Sequence, residues 1–185
     1  LHRPIAGEVK TLTIKQENGR WYACFSCLVD PEPLPENRAA VDIDMGLESF
    51  AVTSDGEIID NPRWFRAAQK GLRRKQRHVS RCVEGSSGWR KACQLVAKLH
   101  RYVFHQRHDF QHKWSRELVN HYGFIAVEDL RVKGLAGGRL AKSVQDAAWS
   151  SFMAKLSYKA ESADRLLVKV DARRTSQQCS CGAPA

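Results

Sequence analysis

Residues 39–59, AAVDIDMGLESFAVTSDGEII, alternate apolar and polar side chains in short runs broken at Gly46 and again at Asp55-Gly56. A period of two interrupted by turn residues predicts strand, turn, strand, Asp-Gly turn, strand. A second apolar run, GFIAVEDL at 123–130, predicts a later buried strand. Helical spacing fills the interval between them, so the chain is committed to an α/β arrangement in which an antiparallel meander pairs with a distant strand. Both critical strands end in an acid, Asp44 in the first and Glu128 in the later one.

Two helices are predicted between those strands, about 63–83 and 88–121, with the Glu-Gly-Ser-Ser-Gly turn at 84–88 folding them into a hairpin. In the second, Val96, Leu99, Val103, Phe110, Trp114 and Leu118 recur at helical spacing. Strand 123–129 is followed by a glycine-containing segment at 131–139, a helix near 143–164 and a strand at 165–171. Ahead of the meander, residues 8–29 alternate around Asn18-Gly19, the signature of a β-hairpin with a type I′ turn. A lone hairpin is not stable in water, so this one is expected to be the edge of a larger β-domain, with the chain beginning mid-domain. Pro31, Pro33 and Pro35 make a stiff connector, because proline fixes φ and removes a ladder donor. The expected organisation is a hairpin at 1–30, a linker at 31–38, an α/β domain at 39–174 carrying the helical hairpin 63–122, and a separate tail at 175–185.

The formal net charge of +10 points to a polyanionic partner. Residues 63–116 hold 15 Lys or Arg against only Glu84 and Asp109, so the excess belongs to the helical hairpin. Interspersed charge is ordinarily a solvated face. Here almost no acid offsets the cations, which favours phosphate binding by Arg73, Arg74, Lys75, Arg77, Arg81, Arg90, Lys91, Lys98, Arg101 and Arg107. Trp64, Phe65, Trp89, Tyr102 and Trp114 can stack on bases, but their helical spacing fits core positions better. No uncharged apolar run approaches the ~20 residues of a membrane-crossing helix, and LHRPIAGEVK has no hydrophobic signal core, so a cytoplasmic protein without a membrane partner is expected.

In strand 40–45 the alternation puts Val41 and Ile43 on one face and Asp42 and Asp44 on the other. An acid at the end of an apolar strand is costly unless exposed, paired or bound to a cation. If strands 40–45 and 123–129 are adjacent, Asp44 and Glu128 face each other and can hold a divalent metal through hard oxygen ligands, the arrangement of an RNase H-like nuclease core. The plainer alternative is that they simply end their strands or pair with local Arg or Lys. Asp129 falls on the face opposite Glu128 and is expected to cap the following turn.

The six cysteines lie scattered in a chain too long to need disulfide staples. Cys24 and Cys27 sit three apart in a predicted strand and so face opposite sides; Cys82 and Cys93 are expected on helices as packing residues. Cys179 and Cys181 lie beside a glycine with no second pair after them, short of the four ligands of a structural zinc site. His78, His100, His105, His108 and His112 offer i, i+4 pairs, for which an ordinary polar-face reading suffices.

Taken in order, VDIDMGLESFAVTSDGEIIDNPR, the Arg-rich hairpin, VEDLRVKGL, SVQDAAWSSFMAKLSYKAE and KVDARRTSQQCSCG resemble the TnpB/OrfB proteins of bacterial insertion sequences, over most of residues 1–182. LHRPIAGEVKTLTIKQENGRWYACFSCLV resembles the last part of the β-barrel, or wedge, domain that precedes the nuclease there. The resemblance implies a RuvC-type nuclease of the RNase H-like class, related to type V CRISPR effectors, that uses a guide RNA to cut target DNA with Mg²⁺ or Mn²⁺. Asp44 matches the family's first catalytic aspartate, Glu128 its catalytic glutamate, and Cys179 the first cysteine of its zinc ribbon, with Cys181 one residue short of the usual C-x-x-C spacing. Zn²⁺ is therefore implied only if the ribbon is completed. A prokaryotic, nucleoid-associated location follows from the same likeness; the oligomeric state does not.

The downstream aspartate of the family's catalytic trio is absent, Asp171 is not its equivalent, and Asp42 stands where the family usually has glycine. The expectation is thus an RNA-guided endonuclease represented by its RuvC region, a fragment that cuts poorly or not at all on its own. The alternative is a nuclease-dead nucleic-acid-binding remnant or repressor. Binding of anionic lipid by the basic helices is a third reading, which leaves the two acids unexplained.

Overall fold

In a computed structural model the described residues are 4–17, 19–31, 33–130 and 141–170. The chain divides into two compact units, one formed by residues 1–32 and 68–105, the other by 33–67 and 106–185. The sequence pattern keeps the whole helical hairpin with residues 39–174. The fold instead groups its distal part, Ala68–His105, with the amino-terminal hairpin.

The larger unit is built on a five-stranded mixed sheet. Strands β3 (Ala40–Asp44), β4 (Ser49–Thr53) and β5 (Ile58–Asp60) form the expected antiparallel meander, while β6 (Phe124–Glu128) and β7 (Leu166–Val170) continue the sheet from β3 in parallel. The spatial order is β5-β4-β3-β6-β7. Alternation sets the faces as predicted: Val41, Ile43, Ile125 and Val127 are buried while Asp42 and Asp44 are exposed. Phe50 sits at the centre of the core, with the rings of Phe110, Trp114 and Phe152 all edge-on to it at 5.1–5.5 Å. Trp114 stacks on Phe152 at 4.6 Å. Such aromatic clusters contribute beyond their buried area.

Helices α1 (Trp64–Val79) and α2 (Ser87–His121) follow the predicted boundaries to within a few residues. The helix expected near 143–164 is two, α3 (Ala141–Ala147) and α4 (Trp149–Ser162). Ala148 between them is left-handed, with φ 52°, a conformation that costs a non-glycine residue about 1–2 kcal/mol. Gln111, fully buried on α2, donates from Nε2 to the carbonyls of Ala147 and Ala148 at 3.3 and 3.1 Å; the Ala148 carbonyl also accepts the Ser151 and Phe152 amides that start α4. Alanine is a strong helix former, so the local sequence carries no sign of the break.

A buried acid joins three of these helices. Asp146 on α3 accepts the backbone amides of Phe65 and Arg66, at 3.1 and 3.3 Å, and so caps the amino terminus of α1 from 80 positions away. Arg107 on α2 donates to the same carboxylate at 2.9 Å. Arg107 is therefore not available to the phosphate-binding face on which the sequence placed it. Further along α2, two buried lysines of α4 find neutral acceptors: Lys155 bonds Gln111 Oε1 and Ser151, and Lys159 bonds the His112 carbonyl at 2.6 Å and Ser115 Oγ at 2.8 Å. Burial, with Arg116 and Lys155 nearby, pushes the Lys159 amine down to about 8, and burial lowers Lys155 as well.

In the smaller unit, β1 (Glu8–Glu17) and β2 (Arg20–Leu28) pair antiparallel around Gly19, whose φ of 75° suits the tight turn, with a register shift between Val9 and Thr11. Cys93 lies on α2, but Cys82 lies in the turn after α1 rather than on a helix, its thiol directed to the His78 carbonyl at 3.3 Å. Cys24, Cys27, Cys82 and Cys93 are all unpaired thiols. No helix of the described residues is long and apolar enough to cross a membrane.

Asp146→Ala should lower stability by about 2–3 kcal/mol in urea unfolding, because it removes the partner of a partly buried guanidinium and uncaps α1 together. Asp146→Asn, which keeps an acceptor for the amides, should cost less. The lysine seam gives a pH signature. Since folding lowers the Lys159 pKa from 10.5 to about 8, the penalty is complete below pH 8 and stability rises with pH between about 8 and 10.5. The rise should not exceed about 3 kcal/mol, and Lys159→Met should flatten it in unfolding midpoints measured across that window.

Candidate active site

The parallel register of β3 and β6 runs through Val41–Ile125, Asp42–Ala126 and Ile43–Val127. One step beyond the last paired residues of both strands stand Asp44 and Glu128, at the carboxyl ends of adjacent strands. Parity puts both on the face away from the aromatic core. Asp44 is exposed and Glu128 half-buried.

The backbone around each acid is held. After Asp44 the chain turns through Gly46, whose amide bonds the Phe50 carbonyl. The turn is clamped from 14–16 residues away: Asn61 Nδ2 and Arg63 Nη2 donate to the Leu47 carbonyl, and Arg63 also to that of Glu48, at 3.1–3.2 Å. Beyond Glu128, the Asp129 amide bonds the Val170 carbonyl at 2.7 Å, tying the strand end to β7. The turn that Asp129 is expected to cap lies outside the described residues. At the start of the strand pair, Gly123 donates to the Ala39 carbonyl, and a Cβ on it would collide with the carbonyl of Asn37. The register that juxtaposes the two acids is thus fixed at both ends.

Two carboxylates offer hard oxygen donors of the kind that suit Mg²⁺ or Mn²⁺. Among the described residues no group of three or more His, Cys, Asp or Glu side chains is disposed to hold a metal ion, so Asp42, though on the same face as Asp44, does not complete a third ligand. Its backbone instead pairs with Ser54, through the Ser54 Oγ at 3.1 Å and the Ser54 amide at 2.8 Å. Cys179 and Cys181 lie outside the described residues.

Beside Glu128 opens a cleft of about 350 Å³. The described residues lining it include Glu128, Asp129 and Lys169 from the strand ends, and Ser150, Met153 and Ser157 from one face of α4. Sequence reasoning did not find it. The spacing 150, 153, 154, 157 marks one helical face, but only the fold reveals that this face meets the acid.

In the smaller unit, Arg74, Lys75 and His78, spaced to share one side of α1, and Arg81 from the turn after it line a groove of about 360 Å³ with Ala92 and Leu95. Arg73, Arg77, Arg90, Lys91 and Lys98 are exposed, whereas Arg101 is half-buried and donates to the Tyr22 hydroxyl at 3.5 Å. Of the aromatic residues considered for stacking, Trp114 is buried, Trp64 packs edge-on to Phe110 at 5.3 Å, and Tyr102 is exposed. His108 and His112 do meet, ring centroids 4.5 Å apart, and burial with Lys159 and His108 close by lowers the His112 pKa.

The model of the family OrfB_IS605, described as "Probable transposase", matches residues 12–139, and that of the Cas12f1-like TNB domain matches residues 149–184. A protein of Streptomyces pristinaespiralis named "Putative RNA-guided DNA endonuclease" is 38% identical over 91% of this chain and 42% of its own length. The Escherichia coli K12 protein "Putative RNA-guided DNA endonuclease InsQ" is 30% identical over 97% of this chain and 49% of its own. The chain spans less than half the length of either relative. Among solved structures, a chain of a Cas12f1–sgRNA–target DNA complex aligns with a TM-score of 0.49 at 16% identity, covering 94% of this chain and 45% of that one.

Proposed function

Because the chain belongs to the OrfB_IS605 family of probable transposases, we propose that it carries the RuvC-like portion of an RNA-guided DNA endonuclease, with Asp44 and Glu128 as catalytic metal ligands. The observation that carries this reading is the β3–β6 register, which brings two acids 84 positions apart to adjacent strand ends. The strand order supports an RNase H-like sheet: three antiparallel strands, then two parallel ones added at the edge of the first. The β1–β2 hairpin is read as the edge of a β-barrel domain. The names of the relatives support guide RNA and target DNA as partners.

The donor set fits a hard divalent ion, since both groups are carboxylates and no thiol or imidazole stands with them among the described residues. Bound there, Mg²⁺ or Mn²⁺ would activate water and stabilise the leaving oxygen of a phosphodiester. The chain's own share is to hold two oxygens at a fixed spacing, through the clamps on Leu47 and the β6–β7 bond at Asp129. Further ligands must come from outside the described residues. The basic groove of α1 and the exposed arginines beside it would hold nucleic acid by phosphate contacts. Zn²⁺ binding by Cys179 and Cys181 belongs to the proposal only with further ligands.

The test is nicking of supercoiled plasmid by the full chain in Mg²⁺, read beside DNA affinity across a salt series. Slow nicking lost in Asp44→Ala and in EDTA is expected. Replacing Arg73, Arg74 and Arg77 with Gln should weaken binding and reduce the salt slope by about one for each phosphate no longer neutralised. Nicking undiminished in Asp44→Ala would contradict the catalytic assignment. Salt-steep binding without any nicking would favour the second reading, a nucleic-acid binder that does not cut, which the lack of a third carboxylate among the described residues supports.

A further inference from the structure

On α2, His108 and His112 stand one turn apart, and their rings meet with centroids 4.5 Å apart and planes at 65°. Both residues are half-buried, so the pair is within reach of solvent. Histidines at i and i+4 share one helix face, an arrangement that can grip a transition-metal ion between two ring nitrogens. A metal–nitrogen bond of about 2.0–2.1 Å puts an ion about 3.2 Å from the ring centre, so two imidazoles at right angles on one ion have centres about 4.5 Å apart. The observed separation is that of neighbouring ligands in a square-planar or octahedral shell. A tetrahedral shell, with centres about 5.2 Å apart, would require the rings to open.

The surroundings favour a neutral, oriented His112. The Tyr158 hydroxyl on α4 lies 3.5 Å from its Nδ1. With Nδ1–H donating to that oxygen, Nε2 keeps its lone pair, as in histidines that bind metals and donate their other nitrogen to an oxygen. Burial, with Lys159 and His108 close by, lowers the pKa of the ring, so near neutral pH it has no proton to lose on binding. The same neighbours restrict which ion can enter. Lys155 and Lys159 bring positive charge from α4, and the acid near the pair, Asp109, is engaged by Lys113 at 2.7 Å. A hard ion held mainly by charge, such as Mg²⁺, is disfavoured there, whereas an ion that bonds strongly to imidazole nitrogen is still held.

We infer that His108 and His112 form a site for a borderline divalent ion of the class of Ni²⁺ or Cu²⁺, as two neighbouring ligands with water completing the shell. The site lies in the helical layer on the core side of the sheet, away from the face of Asp44 and Glu128, and does not depend on the nuclease reading. Two imidazoles in contact repel when both carry protons, and one shared ion removes that conflict. The ion closes one turn of α2 where Lys159 of α4 bonds the His112 carbonyl, so occupancy stabilises the contact between the two helices.

Carbethoxylation of the full, untagged chain by diethyl pyrocarbonate, with and without Ni²⁺ and with the modified histidines mapped by mass spectrometry, tests this. At ten times its half-protecting concentration, Ni²⁺ should slow modification of His108 and His112 together by about tenfold, leaving His78 and His100 unchanged. His112→Gln should abolish protection of His108, and His108→Gln that of His112. Excess Mg²⁺ should protect neither. Tyr158→Phe should raise the half-protecting Ni²⁺ concentration by about tenfold. Equal rates with and without Ni²⁺, protection of either histidine that survives loss of the other, or equal protection by Mg²⁺ would overturn the site. An unchanged half-protecting concentration in Tyr158→Phe would overturn the orienting role of the tyrosine.

Discussion

The carboxylate of Asp146 is buried, and an isolated charge there would cost several kcal/mol. It is tolerated because Arg107 pairs with it and two backbone amides at the start of α1 donate to it. The consequence reaches beyond that local balance. Asp146 fixes where α1 leaves the sheet, and the segment just before α1 contains Asn61 and Arg63, whose side chains hold the turn after Asp44. The position of the candidate catalytic acid thus depends on an ion pair among helices on the core side of the sheet.

A second polar layer follows the first along α2. Gln111 bonds the carbonyls at the break between α3 and α4 and in turn receives Lys155, while Lys159 reaches the carbonyl and hydroxyl that α2 presents one turn further on. Replacing such a seam with apolar side chains could raise stability. What the seam provides is registry: each polar contact is met only when α4 packs on α2 in one position. That position fixes the α4 face which meets Glu128 at the cleft.

Much of the sheet was legible in the sequence, because its strands obey a strict period of two and their turns carry Gly46 and Asp55-Gly56. Val41 and Ile43 inward with Asp42 and Asp44 outward follows from that alternation alone. The adjacency of β3 and β6 had to be assumed, since nothing local encodes which distant strand is the neighbour. The helical seam was not legible. Asp146, Gln111, Lys155 and Lys159 look like ordinary solvated helix residues until the fold buries them, and the left-handed Ala148 has no propensity signal. Arg107 was misplaced for the same reason: helical periodicity gives its angular position, but not the buried acid that waits there.

The proposed pairing of Asp44 and Glu128 on one divalent ion is tested by Mn²⁺ binding followed by electron paramagnetic resonance. Each of Asp44→Asn and Glu128→Gln should weaken the binding, and the double variant should lose little more than the weaker single, as expected of two ligands on one ion. Affinity unchanged in both single variants would show that the acids merely end their strands and share no ion.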